Sequence, residues 1–172
     1  LSLDVQVRPA AERVCDFEDA VLPMDAEQAM FEASRCIQCP DPAPCVLACP
    51  LHNDIPSAMW LIEQGKFLEA AQIYRKTSSM PEICGRVCPQ EQLCQGSCSR
   101  SKSTSPVLTG ALEVFVSDYE RMTYHGVKIP QGSPTGKKVA IVGAGPAGMA
   151  CAEQLVMKGH EVTIFESKPA AG

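Results

Sequence analysis

Aromatic residues are scarce in this 172-residue chain: one Trp, three Tyr and five Phe make up 5% of it. A large core of packed rings is thereby excluded, and metal sites become a natural source of part of the cohesion. Positive charge is short as well, since 15 Lys and Arg against 20 Asp and Glu leave a net charge of −5. No basic stripe is left to follow a phosphate backbone, so nucleic acid is not an expected partner. The longest apolar runs, such as Val139 to Val142 and Ala58 to Ile62, fall far below the roughly 20 residues that cross a bilayer, and no membrane association is expected. No signal peptide opens the sequence, which argues for a cytoplasmic location where thiols stay reduced. None of His52, His125 and His160 has a sequence neighbour suited to acid–base work, and no nucleophile motif occurs. No catalytic residue is therefore expected in the chain. Its 45% of hydrophobic residues and near-average charge are those of a soluble globular protein of one or two small domains.

Cysteine is what the chain has in excess. Eight of its ten cysteines fall in the 63 residues from Cys36 to Cys98, as Cys36-x2-Cys39-x5-Cys45-x3-Cys49-Pro50 and Cys84-x3-Cys88-Pro89-x4-Cys94-x3-Cys98. A cubane iron–sulfur cluster takes four thiolates, and two-cluster ferredoxins draw the fourth, the one before a proline, from the other run. Both quartets are suited to such an exchange. Four thiolates also suit tetrahedral zinc, but zinc ribbons favour paired C-x2-C knuckles, and only Cys36/Cys39 has that spacing. A zinc-stabilised interaction domain stays open as a reading of another class. A disulfide framework would need an oxidising compartment.

The first two dozen residues show no sustained period and read as an arm, with Cys15 as a partly buried thiol. Asp25 with Gln28 predicts a capped helix over Ala26 to Arg35 that delivers Cys36. The prolines of Pro40-Asp41-Pro42-Ala43-Pro44 predict a loop. Two short helices follow, one after Asp54 that ends at Gly65 and one from Phe67 to Lys76, with Met59, Trp60 and Phe67 as expected core. Cys84 and Cys88 stand one helical turn apart if their segment is helical. Ser99 to Ser105 reads as a solvated polar loop. Leu112, Phe115, Val116, Tyr119 and Met122 mark an amphipathic helix from Thr109 to His125, on which Glu113 has solvent as its default surroundings.

Val127 to Gly136, rich in proline and glycine, reads as a boundary between domains over residues 1–130 and 137–172. Beyond it a strand Lys137 to Val142 leads into Gly143-Ala144-Gly145-Pro146-Ala147-Gly148, a helix to Lys158, and a strand Glu161 to Phe165. A lone G-x-G-x-x-G is a weak signal, but this one follows a strand, opens a helix and precedes the acidic Glu166 by 18 residues. Gly143 suits the tight turn, Gly145 the approach of a pyrophosphate, Gly148 close helix–strand packing, and Glu166 a ribose diol. An acidic residue there would repel a 2′-phosphate, so FAD or NAD is expected rather than NADP. Cys151, on the helix, is expected buried against the sheet.

The strings Glu32-Ala33-Ser34-Arg35-Cys36, Cys45-Val46-Leu47-Ala48-Cys49-Pro50, His52-Asn53-Asp54-Ile55-Pro56, Cys84-Gly85-Arg86-Val87-Cys88-Pro89 and Gly143-Ala144-Gly145-Pro146-Ala147-Gly148 resemble the small (β) subunits of bacterial NADPH-dependent glutamate synthase. The same module occurs in the N-terminal part of dihydropyrimidine dehydrogenase and in ferredoxin:NADP oxidoreductase subunits. The resemblance covers the chain from about Phe17 onward. It implies a mainly α fold: a helical domain with two [4Fe–4S] clusters, then the first βαβ unit of a Rossmann-type FAD-binding domain. An NADPH-binding domain would lie further along. Electrons would pass from NADPH through FAD and the clusters to a glutamate synthase large subunit or an equivalent acceptor.

The family's glycines after the second strand are represented here only by Gly172, and the chain reads as a piece of a longer polypeptide. In dihydropyrimidine dehydrogenase one cluster takes a glutamine, and alignment through Pro106 and Gly110 puts Glu113 at that position. The resemblance thus implies Cys36, Cys39, Cys45 and Cys98 for one cluster and Cys49, Cys88, Cys94 and Glu113 for the other. Cys84 is the rival for the eighth place. The gap between Cys39 and Cys45 is one residue longer than in that enzyme, so the loop should bulge at its prolines.

Overall fold

The computed structural model describes residues 3–126 and 129–171. Gly172 lies outside the described residues. The fold is mostly helical, with a two-stranded parallel sheet near the C-terminal end. It divides into two compact units, Leu1–Thr123 and Tyr124–Gly172.

The opening arm folds back on itself. A one-turn helix α1 (Ala10–Arg13) is clipped by an antiparallel bridge between Val7 and Val21 and by an Arg8–Asp16 ion pair of 2.6 Å. Cys15 is exposed there, not partly buried as expected. It sits just past the end of so short a helix that little can pack over it.

Helix α2 (Ala26–Ser34) opens on the predicted reciprocal cap, in which the Asp25 carboxylate accepts from the Gln28 amide and the Gln28 side chain accepts from the Asp25 amide. Helix α3 (Pro44–Ala48) begins on a proline expected in the preceding loop. A proline at the first helical position is tolerated because its missing N–H would have had no helical partner. Helix α4 (Ile55–Glu63) is capped by Asp54, whose carboxylate accepts from the Ser57 amide at 3.2 Å, and Gly65 ends it with a φ of +70°. Helix α5 (Phe67–Arg75) returns against α4. Ala29, Ala33, Ala58, Ala70 and Ala71 let α2, α4 and α5 approach closely, while Met59, Ile62, Phe67 and Tyr74 fill the space between.

Trp60 does not join this core. The buried positions of α4 are Ile55, Ala58, Met59 and Ile62, so Trp60 falls outside the stripe, 49% exposed, with the Lys66 ammonium 5.5 Å from its ring centroid. Short helix α6 (Pro81–Val87) and a 3-10 turn (Ser99–Lys102) lead to the long helix α7 (Thr109–Tyr124). Its buried face differs from the apolar stripe read off the sequence. Leu112 and Val116 are buried and Phe115 stacks edge-on against Phe67 at 4.9 Å, but Tyr119 and Met122 are exposed, and Glu113, Ser117 and Glu120 lie inside.

Partners far away in sequence account for part of this rotation. Arg75 Nε donates to Glu120 at 2.6 Å and the Gln72 side chain donates to the other oxygen. At the other end of the helix, buried Glu32 pairs with Arg35 and accepts from the Leu108 amide at 3.0 Å, while Arg35 donates to the Ser105 and Pro106 carbonyls. That network ties the start of α7 to α2.

In the second unit, strands β1 (Lys138–Val142) and β2 (Glu161–Phe165) pair in parallel, Lys138 opposite Glu161 and Val142 opposite Phe165. Helix α8 (Pro146–Met157) makes the crossover, as the pattern of glycines and apolar runs predicts. Cys151 is exposed in this unit, contrary to expectation; the buried residue of α8 is its neighbour Ala152, which turns Cys151 off the covered face.

Candidate functional site

The cysteines of the two runs gather into two groups, and each group draws on both runs. Cys36 and Cys39 follow α2, Cys45 is in the first turn of α3, and Cys98 precedes the 3-10 turn; these four line one pocket, floored by Pro44 and Pro56. Burial pushes the Cys45 thiol up to about 12, with Cys36 and Cys98 adding to the effect, and raises Cys36 for the same reason, with Cys98 and Cys39 adding. The Cys39 thiol donates to the Ser99 hydroxyl at 3.3 Å.

The second group draws on the ends of α3 and α6 and on α7. Cys49 caps α3, Cys84 lies inside α6 and Cys88 caps it, Cys94 follows, and Glu113 projects from α7. Burial lifts Cys88 to about 11, with Cys84, Glu113 and Cys49 adding to the effect, and lifts Cys94 to about 11, with Cys49 and Glu113 adding. The close approach of α6 and α7 depends on glycine. A Cβ on Gly85 would stand 2.7 Å from Val114 Cγ2 and 3.0 Å from the Gly110 carbonyl oxygen, while the Gln90 side chain covers Gly110 and donates to the Gly85 carbonyl at 2.8 Å.

Glu113 is 8% exposed rather than solvated. Burial, followed by the charge of Glu82, pushes its carboxyl up to about 8, and its Oε1 is buried with no hydrogen-bond partner. Such an oxygen carries a desolvation cost that a positive ion would offset. Buried thiols held this far up ionise readily only when a metal replaces the proton. The donor set therefore fits a metal cofactor. Among the described residues no three His, Cys, Asp or Glu side chains converge closely enough to hold a single ion. A four-iron cube does not require that, because each thiolate binds a different iron.

Sequence reasoning missed two residues here. Arg100 lies in the stretch expected to be solvated, yet it lines the first pocket, and its Nε is buried without a partner. Tyr74 is singled out by nothing in the sequence, yet its buried hydroxyl also lacks a partner among the described residues. Neither residue has a neighbour in sequence that would have marked it.

In the second unit, Gly143 adopts a φ of +96°, a conformation that disfavours any side chain. A Cβ on Gly148 would collide with the Gly143 carbonyl oxygen, whereas one on Gly145 would meet open space. Glu166 lies past the end of β2. One of its oxygens accepts from the Ala144 amide at 2.8 Å and the other from Lys168 N at 2.9 Å and the Ser167 hydroxyl at 3.1 Å. These bonds, that from Ala144 first, hold the exposed carboxyl down at about 2.

Residues 13–125, which contain both cysteine groups and Glu113, match the family model described as dihydropyrimidine dehydrogenase domain II, 4Fe-4S cluster. The chain belongs to this family. Residues 141–172 match an NAD(P)-binding Rossmann-like domain. The dihydropyrimidine dehydrogenase domain II family is thus represented here by a 4Fe–4S domain followed by the start of a Rossmann-like domain. Among similar proteins, the Escherichia coli (strain K12) glutamate synthase [NADPH] small chain is 39% identical over 99% of this chain and 36% of its own length. The Escherichia coli (strain K12) protein UacF is 40% identical over 95% of this chain and 26% of its own length. The NAD-dependent dihydropyrimidine dehydrogenase subunit PreT of Salmonella typhimurium is 42% identical over 84% of this chain and 34% of its own length. The chain therefore spans about a quarter to a third of the length of these relatives. No helix among the described residues is long and apolar enough to cross a membrane.

Proposed function

We propose that this chain is the electron-transfer part of an NADPH-dependent flavin and iron–sulfur oxidoreductase of the glutamate synthase type, working in the cytoplasm. In this reading residues 1–130 form the domain that holds two [4Fe–4S] clusters and residues 137–172 begin the FAD-binding domain. Cys36, Cys39, Cys45 and Cys98 hold one cluster; Cys49, Cys88, Cys94 and Glu113 hold the other. The observation that carries the proposal is the mixing of the two cysteine runs into two groups, the second completed by a buried carboxylate whose oxygen has no partner.

When bound, a [4Fe–4S] cluster carries one electron at a time. The chain's own residues bind, bury and orient. Burial around Cys45 and Cys94 keeps water away from the thiolates, and the α2 network around Glu32 and Arg35 fixes the start of the helix that carries Glu113. In the second unit, Gly143 and Gly145 leave room for a pyrophosphate at the N-terminus of α8, whose unpaired N–H groups favour anions, and Gly148 lets the helix pack closely on the Gly143 turn. Glu166 faces the same loop and would take the FAD ribose diol. NADPH would bind in a part of the polypeptide further along. The acceptor is a glutamate synthase large subunit or its equivalent.

Anaerobic reconstitution of the full-length protein tests the core of this proposal. About eight irons per chain with matching acid-labile sulfide is the expected content of two four-iron clusters; stoichiometric zinc with negligible sulfide would defeat it. The 42% identity to PreT favours a second acceptor, a pyrimidine-reducing subunit. Turnover of NADPH or NADH with an amidotransferase-type large subunit, compared with turnover on a pyrimidine, separates the two.

A further inference from the structure

Tyr74, in the last turn of α5, is fully buried, and its hydroxyl has no hydrogen-bond partner among the described residues. The other buried residues of α5 are Phe67, Ala70 and Ala71, so phenylalanine would serve the same packing without a polar atom to satisfy. Burying an unpaired hydroxyl is costly, and such a group in a native core calls for an acceptor. Its surroundings are distinctive. After burial itself, the groups that raise its phenol are Glu113, Cys94, Cys45 and Cys49, in that order. Three of these belong to the second cysteine group and Cys45 belongs to the first. Tyr74 is part of the apolar core against whose edge Cys45, Cys49 and Cys94 pack, and in the second group Glu113 Oε1 is also buried with no partner among the described residues.

We propose that the Tyr74 hydroxyl donates a hydrogen bond to the anionic ligand shell of the second iron–sulfur site, the one completed by Glu113, and sets the potential of the cluster held there. This rests on the two-cluster reading given above. Adding an electron makes a thiolate- and carboxylate-ligated cluster more negative. A hydrogen bond to its ligands draws off part of that charge and favours the reduced form. A tyrosine hydroxyl carries its proton at neutral pH and can donate it. Tyr74 is in this sense a positioning and tuning residue: it needs no bond to iron.

The test is a redox titration, followed by electron paramagnetic resonance, of the full-length protein reconstituted anaerobically, wild type against Tyr74→Phe. The variant is expected to hold wild-type amounts of iron and sulfide while the potential of one of the two clusters falls and the other moves less. Proton resonance of the wild-type reduced cluster should also show an exchangeable coupling that is lost in deuterium oxide and absent from the variant. Unchanged potentials and couplings at full iron content would overturn the inference and leave the two-cluster reading intact. If the variant fails to assemble, the wild-type measurement decides alone, since absence of any exchangeable coupling at the carboxylate-ligated cluster overturns the inference. A wild-type protein without iron and sulfide overturns both readings.

Discussion

Glu113 pairs high burial with an oxygen that nothing among the described residues satisfies, and Cys84 stands beside Cys88 in the same group. Thiolate is the more usual ligand for iron, but Cys84 already has a partner in the Ser78 hydroxyl, which donates to its sulfur at 3.8 Å. Cys84→Ser is therefore expected to leave both clusters assembled. Glu113→Ala is expected to lose or shift the spectrum of one cluster. Resonance spectra of the two reconstituted variants check this, and the opposite pattern would hand the eighth place to Cys84. Glu166 supports a prediction in pH. Its carboxyl is held at about 2 by backbone donors, below its ordinary value, so the bond to the Ala144 amide is fully present above pH 4.5 and is lost as pH falls through about 2. The Ala144 amide resonance should titrate with a midpoint near 2, and Glu166→Gln should abolish that transition. The sequence marks Glu166 clearly because its strand and glycines are local. It marks Glu113 only through resemblance, since the groups that surround it come from three other segments.

Helices α6 and α7 show what periodicity can and cannot reveal. The cap of α2, the stop at Gly65 and the strand–glycine–helix unit each rest on neighbours a few residues apart, and each is legible in the chain. The inward face of α7 is not. Glu120 is buried because Arg75 and Gln72 meet it from α5, and a reading that equates apolar with buried assigns Tyr119 and Met122 to the core in its place. The same holds for the contact of α6 with α7, which turns on a glycine that looks like an ordinary helix interior. Gly85→Ala places a methyl group against Val114 and the Gly110 backbone, and backbone cannot swing aside as a long side chain can. It is expected to destabilise the first unit by about 1–3 kcal/mol, the usual range for overpacking. Displacement of α6 moves Cys84 and Cys88 away from Glu113, so iron content should also fall. Thermal unfolding and iron analysis measure both effects.

The first unit combines an apolar centre with cysteine-bearing edges. Scarcity of aromatics points to metal sites as a source of part of the cohesion. The first unit nonetheless has a continuous core in which small alanines let α2, α4 and α5 meet, and Cys36, Cys45, Cys49, Cys94 and Cys98 pack against its edge. Low aromatic content did not reveal this, because close helix packing needs small side chains as much as large ones. The consequence is a graded dependence on iron. Helix α4 buries its face against α2 and α5, and these helices should keep their amide protection when iron is removed. The segments around Cys36–Cys49 and Cys84–Cys98 have little regular structure beyond short helices, and isolated helices of that length are unstable in water. Their order depends on what the thiols bind. Removal of iron by a chelator should therefore raise amide exchange by tenfold or more in these two segments, about 1.4 kcal/mol or more of local stability, with a smaller change in α4 and α5. Exchange read by mass spectrometry on the reconstituted and chelated full-length protein checks this. Uniform loss across the first unit would mean that the apolar core cannot stand without metal, and equal protection in both states would mean that the cysteine segments are held by packing alone.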